Sequence, residues 1–179
     1  MFKNYSKYRV LELFFKDPLP EGGFQLREIS RKINLAPKSV KIYLKQLEKE
    51  KLITKRLHRL HKYPLYYANR DNEYFKLLKV QDIVRKVYDS GLLDYLDNTC
   101  QPDVIILYGS ASIGEDIRES DIDIYLRCND KELDLYKYEQ KLSRKIHLFF
   151  RKDFKKSSKE FMNNLINGII LKGYLNLYN

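Results

Sequence analysis

The segment Ser120-Asp121-Ile122-Asp123 sets two carboxylates two residues apart in a stretch, 120–126, that reads as a strand. Side chains alternate along a strand, so Asp121, Asp123 and Tyr125 fall on one face and Ile122, Ile124 and Leu126 on the other. The two acids then stand ~7 Å apart, and like charges that close call for a cation between them. Mg²⁺ takes oxygen ligands and is commonly held by one or two carboxylates together with substrate phosphates. Two such ions activate an attacking oxygen and steady a leaving pyrophosphate. Upstream, the apolar run VIILY at 104–108 ends in Gly109-Ser110. Glycine lets backbone come close to a ligand. A strand that ends in Gly-Ser and opens a helix offers N–H groups and a hydroxyl to phosphate. The two segments together suit a metal-bound nucleoside triphosphate.

These residues need a scaffold. A continuous apolar strand such as 104–108 belongs in a sheet covered on both sides. Before it, residues 71–98 recur in apolar positions near the helical period, with Gly91 as a break. After it, 145–150 (KIHLFF) reads as a further strand. The tail reads as a helix running through Phe161, Leu165 and Ile166 to Ile169 and Ile170, then a short strand or turn at 174–177. Lys145, Arg151, Lys152, Lys155 and Lys156 form a basic cluster near the proposed site, read as a solvated face, as is the acidic stretch of Glu115, Asp116 and Glu119.

The first part of the chain differs in charge. Residues 1–70 hold 17 Lys+Arg against 6 Asp+Glu, a balance of +11, while 71–179 hold 17 against 18. A positive field confined to one module concentrates a polyanion such as nucleic acid. Three helical stretches precede a hairpin: 5–15, 25–33 and 37–50, then strands near 52–60 and 64–68. In the third helix Val40, Leu44 and Leu47 face inward, and Lys38, Lys41, Lys45 and Lys49 share the outer face.

This order of elements resembles the winged-helix family, over roughly residues 7–69. The resemblance implies a third helix in the DNA major groove and a hairpin wing along the backbone or minor groove. It assigns Lys38, Ser39, Lys41 and Lys45 to duplex DNA, and Arg56, Arg59 and Lys62 to phosphates. Lysine contacts favour position and affinity over base readout, leaving any sequence preference to Ser39, Tyr43 and Gln46.

The second half, GSASIGEDIRESDIDIYL, resembles the signature of minimal nucleotidyltransferases in the DNA polymerase β-like superfamily. Gly109, Ser110, Gly114, Ser120, Asp121 and Asp123 all stand in place. The resemblance implies a small mixed sheet flanked by helices. It further implies that Gly109, Ser110 and Ser120 bind nucleotide, that Asp121 and Asp123 bind Mg²⁺, and that a nucleoside monophosphate passes from an NTP to an acceptor hydroxyl. The family's third carboxylate, on a later strand, is matched here by His147, a candidate base or ligand for a softer ion such as Mn²⁺. Glu139 and Asp153 are acids nearby in sequence, though neither sits in the expected place.

The expected architecture is therefore α+β. Residues 1–70 form a winged helix of three helices plus a β-hairpin, 71–98 a helical connector, and 99–179 a nucleotidyltransferase-like domain. The expected partners are duplex DNA, an NTP and, among acceptors, a partner protein; a homodimer fits the N-terminal resemblance. An alternative function is a DNA-binding regulator whose second domain only binds nucleotide or mediates assembly. No apolar run of about 18 residues exists to span a membrane, and MFKNYSKYRV lacks a secretory signal's apolar stretch. Cys100 and Cys128 have neither metal-like spacing nor framework partners, which suits buried packing in a reducing cytoplasm.

Overall fold

A computed structural model of the protein describes residues 5–153 and 157–176. The chain divides into two compact units, Met1–Lys76 and Leu77–Asn179.

In the first unit, α1 (Tyr5–Lys16), α2 (Leu26–Ile33) and α3 (Pro37–Lys49) precede a hairpin of β1 (Ile53–Leu57) and β2 (Pro64–Ala68). Helix α1 buries Tyr8, Val10, Leu11, Phe14 and Phe15, and Asp17-Pro18 follows its end. A reciprocal capping box between Gln25 and Glu28 starts α2, and left-handed Asn34 ends it. Pro37 occupies the first turn of α3, where its missing N–H costs nothing. Val40, Leu44 and Leu47 of α3 are buried, and Phe14 meets Phe24 edge-on at 5.3 Å. The hairpin pairs antiparallel from Ile53↔Ala68 to Leu57↔Pro64.

The second unit comprises α4 (Glu73–Ser90), which begins before the division, and α5 (Leu92–Cys100). These are followed by β3 (Val104–Tyr108), a single 3-10 turn (Ser110–Ser112), β4 (Ile122–Leu126), α6 (Tyr136–Leu142), β5 (Ile146–Phe150), α7 (Lys159–Ile166) and β6 (Ile169–Gly173). The sheet order is β5-β4-β3-β6. Strands β4 and β5 run parallel with α6 between them in the chain, and β3 pairs antiparallel with both β4 and β6. The sheet is thus mixed, within an α+β chain.

Alternation divides the sheet between two cores. Ile105, Leu107, Ile122, Ile124 and Leu126 pack on one face with Val87, Leu92 and Leu96 of α4 and α5 and with Leu142 of α6. Val104, Ile106, Tyr108 and Tyr125 pack on the other with Leu165 and Phe161 of α7. Every residue of β3 is buried, as its unbroken apolar run requires. Free Cys100 and half-buried Cys128 pack in the first of these cores. Burial, ahead of the neighbouring Cys100, pushes the Cys128 thiol up to about 11.

Three expectations need correction. Ile169 and Ile170 are not helical. Helix α7 ends at Ile166, and 169–173 form β6 on the open edge of β3. Gly168 makes the turn possible, because a Cβ there would stand 2.8 Å from the Leu107 carbonyl oxygen. The segment after β6 is irregular at 174–176, and Leu177 lies outside the described residues. Second, no helix follows Gly109-Ser110, only the three-residue 3-10 turn, so no helix dipole faces the site. Third, β4 begins at Ile122, and Asp121 stands just ahead of it.

Candidate active site

Asp123 occupies the centre of the arrangement. In the sheet it lies opposite Tyr108 on one side and His147 on the other. His147 Nδ1 is 3.2 Å from Asp123 Oδ1. The other oxygen, Oδ2, lies against Gly109, where a Cβ would come within 2.5 Å of it. Gly109 has φ 70 and ψ −160, a backbone conformation open essentially to glycine. The absent side chain at 109 thus makes the space that the carboxylate fills. Burial, and then the charge of Asp123, push the Tyr108 phenol up to about 12. The base of the site is therefore a neutral, apolar ring that supplies no competing charge.

Asp121 is exposed one step ahead of the strand, and Ile122 between the acids points into the opposite core. The stretch leading to Asp121 is a folded loop. Ser112 Oγ donates to the Gly109 carbonyl at 2.7 Å, and the Glu115 amide donates to the Ser110 carbonyl at 3.0 Å. Ser120 Oγ accepts the Ile117 amide at 3.0 Å. Gly109 and half-buried Ser110 thus sit at the mouth of the turn, while Ser120 braces the loop from within.

Asp116 departs from the sequence reading. It is 4% exposed, not part of a solvated acidic face; Glu115 and Glu119 are exposed as expected. Its carboxylate lies between Lys79 Nζ of α4, 3.0 Å from Oδ1, and Arg144 Nη1, 2.7 Å from Oδ2. Lys79 also donates to the Asp116 carbonyl. Arg144 then spends its other donors on backbone: Nε on the Ser120 carbonyl at 2.8 Å and Nη2 on the Asp121 carbonyl at 2.8 Å. Sequence reasoning passed over Arg144 and Lys79 and misread Asp116 as solvated, and no motif marks the three.

The other acids have structural work. Glu139 accepts the Ile146 amide and the Lys145 ammonium, each at 3.1 Å. Those bonds, the backbone one first, hold its carboxyl below the usual range. Exposed Asp153 follows the end of β5. Arg151 stacks over Phe149 at 5.4 Å, and Lys155 and Lys156 lie outside the described residues.

The donor set was tested against the Mg²⁺ that the signature implies. Among the described residues no three His, Cys, Asp or Glu side chains gather as a ready-made site. Two carboxylates are present, and the Gly109 cradle brings backbone to within contact of one of them. That fits a cation held by one or two acids and completed by substrate phosphates, not a closed protein cage.

In the first unit, Lys38, Lys41 and Lys45 are exposed on α3, opposite its buried positions, and Ser39 is half-buried beside them. Arg56 of β1 lies over the Tyr67 ring at 5.3 Å. Exposed Arg59 and Lys62 belong to the hairpin turn, where Lys62 adopts a left-handed φ of 57. His58 Nδ1 accepts the Leu60 and His61 amides at 3.3 and 3.2 Å and fixes that turn. No local pattern in residues 58–63 marks this histidine brace.

Among the described residues no helix is long and apolar enough to cross a membrane. No curated protein and no solved structure matches the chain. The family model for polymerase beta nucleotidyltransferase matches residues 91–175. That span holds the whole four-stranded sheet and all six signature positions, so this part of the chain is similar to a nucleotidyltransferase domain.

Proposed function

We propose that the chain transfers a nucleoside monophosphate from an NTP to an acceptor hydroxyl, and that its first unit is a winged helix that binds duplex DNA. In the transfer, the acceptor hydroxyl gives its proton to solvent, its oxygen bonds to the α-phosphorus, the bond from that phosphorus to the bridging oxygen breaks, and pyrophosphate leaves. Gly109 and Ser110 cradle the triphosphate. Asp121 and Asp123 hold Mg²⁺, or Mn²⁺, which when bound screens the phosphate charge and steadies the leaving group. His147 orients the inner carboxylate. The observation that carries this reading is the missing Cβ at Gly109, against which Asp123 Oδ2 is packed. The test is incubation with labelled ATP, CTP or GTP and Mg²⁺ or Mn²⁺, with protein, RNA and small hydroxyl compounds as acceptors. Label transfer that Asp121→Asn abolishes supports the reading; absence of transfer with every acceptor refutes it. A partner protein is among the candidate acceptors, and a homodimer is the proposed state of the winged helix.

One observation favours a second reading. A histidine, not a third carboxylate, stands opposite Asp123, and a neutral nitrogen suits Mg²⁺ poorly. On that reading the domain binds nucleotide without turnover, and the protein is a DNA-binding regulator. Nucleotide binding without label transfer selects it.

DNA binding is supported by the exposed lysines of α3 and by the charge of +11 over residues 1–70. Cationic side chains there supply a salt-dependent affinity for phosphate.

A further inference from the structure

We propose that Arg144 is the positioning residue that fixes Asp121 for the cation it shares with Asp123, acting through the backbone and not by touching the ligand. The proposal rests on the reading of Asp121 and Asp123 as cation ligands. Asp121 precedes β4, so no strand pairing of its own sets its place. Its carbonyl, and that of Ser120, are instead gripped by one guanidinium, at 2.8 Å each. The third arm of the guanidinium is held by Asp116, whose carboxylate is 5% exposed. Lys79, 4% exposed, closes the other side of that carboxylate. A surface pair holds little in place, whereas this guanidinium is held on three sides and its Asp116 partner is buried. Arg144 also lies two residues before Ile146, and the Ile122 amide donates to the Lys145 carbonyl at 2.9 Å. The residue that clamps the carbonyl of Asp121 therefore sits at the start of the strand that carries His147.

The fork shape of arginine matters here. Lysine can pair with Asp116 and keep the buried carboxylate compensated, but it has no rigid fork for two carbonyls at once. Arg144→Lys thus separates holding the fold from placing Asp121. Loss of a group that orients metal ligands commonly costs about 10–100-fold in affinity.

The experiment uses the full chain and Mn²⁺ alone, with bound ion measured by the loss of the free-ion electron paramagnetic resonance signal. Asp121→Asn is the reference for the metal site. Melting temperature is measured on every variant. The expected result is Mn²⁺ affinity about 10–100-fold weaker in Arg144→Lys at an unchanged melting temperature. If Arg144→Lys melts early, Arg144→Ala is titrated with methylguanidinium, and recovery of Mn²⁺ affinity supports the proposal; no recovery overturns it. A folded Arg144→Lys that binds Mn²⁺ within about twofold of the parent also overturns the positioning role and leaves the metal reading intact. A parent protein that binds Mn²⁺ no better than Asp121→Asn ends the metal reading, and the positioning role with it.

Discussion

Replacing Gly109 with alanine tests whether the carboxylate of Asp123 is held where the chemistry needs it. A Cβ at this position stands 2.5 Å from Oδ2, and ordinary contact begins at 3.4 Å, so the carboxylate must retreat by about 0.9 Å. Retreat also disturbs the 3.2 Å contact of Oδ1 with His147. Misplacement of a reacting constellation by about 1 Å costs on the order of 10²-fold in rate. The backbone adds a separate penalty, because φ 70 and ψ −160 strain any residue but glycine by about 1–3 kcal/mol. Gly91→Ala is the matched control: it has φ +79 and nothing within 4 Å of its Cβ. It carries a strain of about 1–2 kcal/mol and no steric conflict. Urea unfolding is therefore expected to show similar losses in the two variants. Label transfer at saturating NTP is expected to fall about 100-fold only in Gly109→Ala. Equal transfer rates in the two folded variants would refute the argument that the missing side chain at 109 positions Asp123.

Further outcomes follow from the same geometry. Burial first, then Asp123 at Tyr108, push the phenols of Tyr108 and Tyr125 from 10.0 to about 12. A raised folded value means that this stability is whole below pH ~10 and disappears as pH climbs towards ~12, about 2–3 kcal/mol for each phenol. Urea midpoints that stay flat across that window would rule this out. Asp116→Ala strips the buried partner from Lys79 and Arg144 and is expected to cost about 3–5 kcal/mol in chemical unfolding; a cost below 1 kcal/mol would place the network in solvent. Charge reversal at Lys41 and Lys45 together is expected to abolish the mobility shift of duplex DNA at moderate salt, and an unchanged shift removes α3 from the interface.

Period and punctuation made the helices of the first unit readable. Val40, Leu44 and Leu47 step at helical spacing, Pro37 marks a first turn, and all three apolar residues are buried. The alternation from Ile122 to Leu126 likewise separated the Asp123 face from the core face, since each Ile or Leu has to reach apolar company. The resemblance matched His147 to the family's third carboxylate, and His147 and Asp123 are neighbours in register. Other features depend on distant partners. Nothing local tells Asp116 from Glu115 or Glu119; the difference lies in Lys79 and Arg144, 37 and 28 residues away. Ile169 and Ile170 continue an apolar period that suits a helix. The vacant edge of β3, which no local pattern records, draws them into a strand instead. The boundary of β4 failed for a similar reason: the Asp121 carbonyl goes to Arg144, a side chain outside the strand.

Strand β5 closes one border of the sheet and has a neighbour on one side only. His147, the third position of the proposed site, therefore rides on an edge strand, and its side chain is 60% exposed. Asp123 sits on interior strand β4, paired on both sides, and Gly109 directly follows interior strand β3. An exchange at 147 therefore disturbs one neighbouring strand, whereas an exchange at 123 faces two.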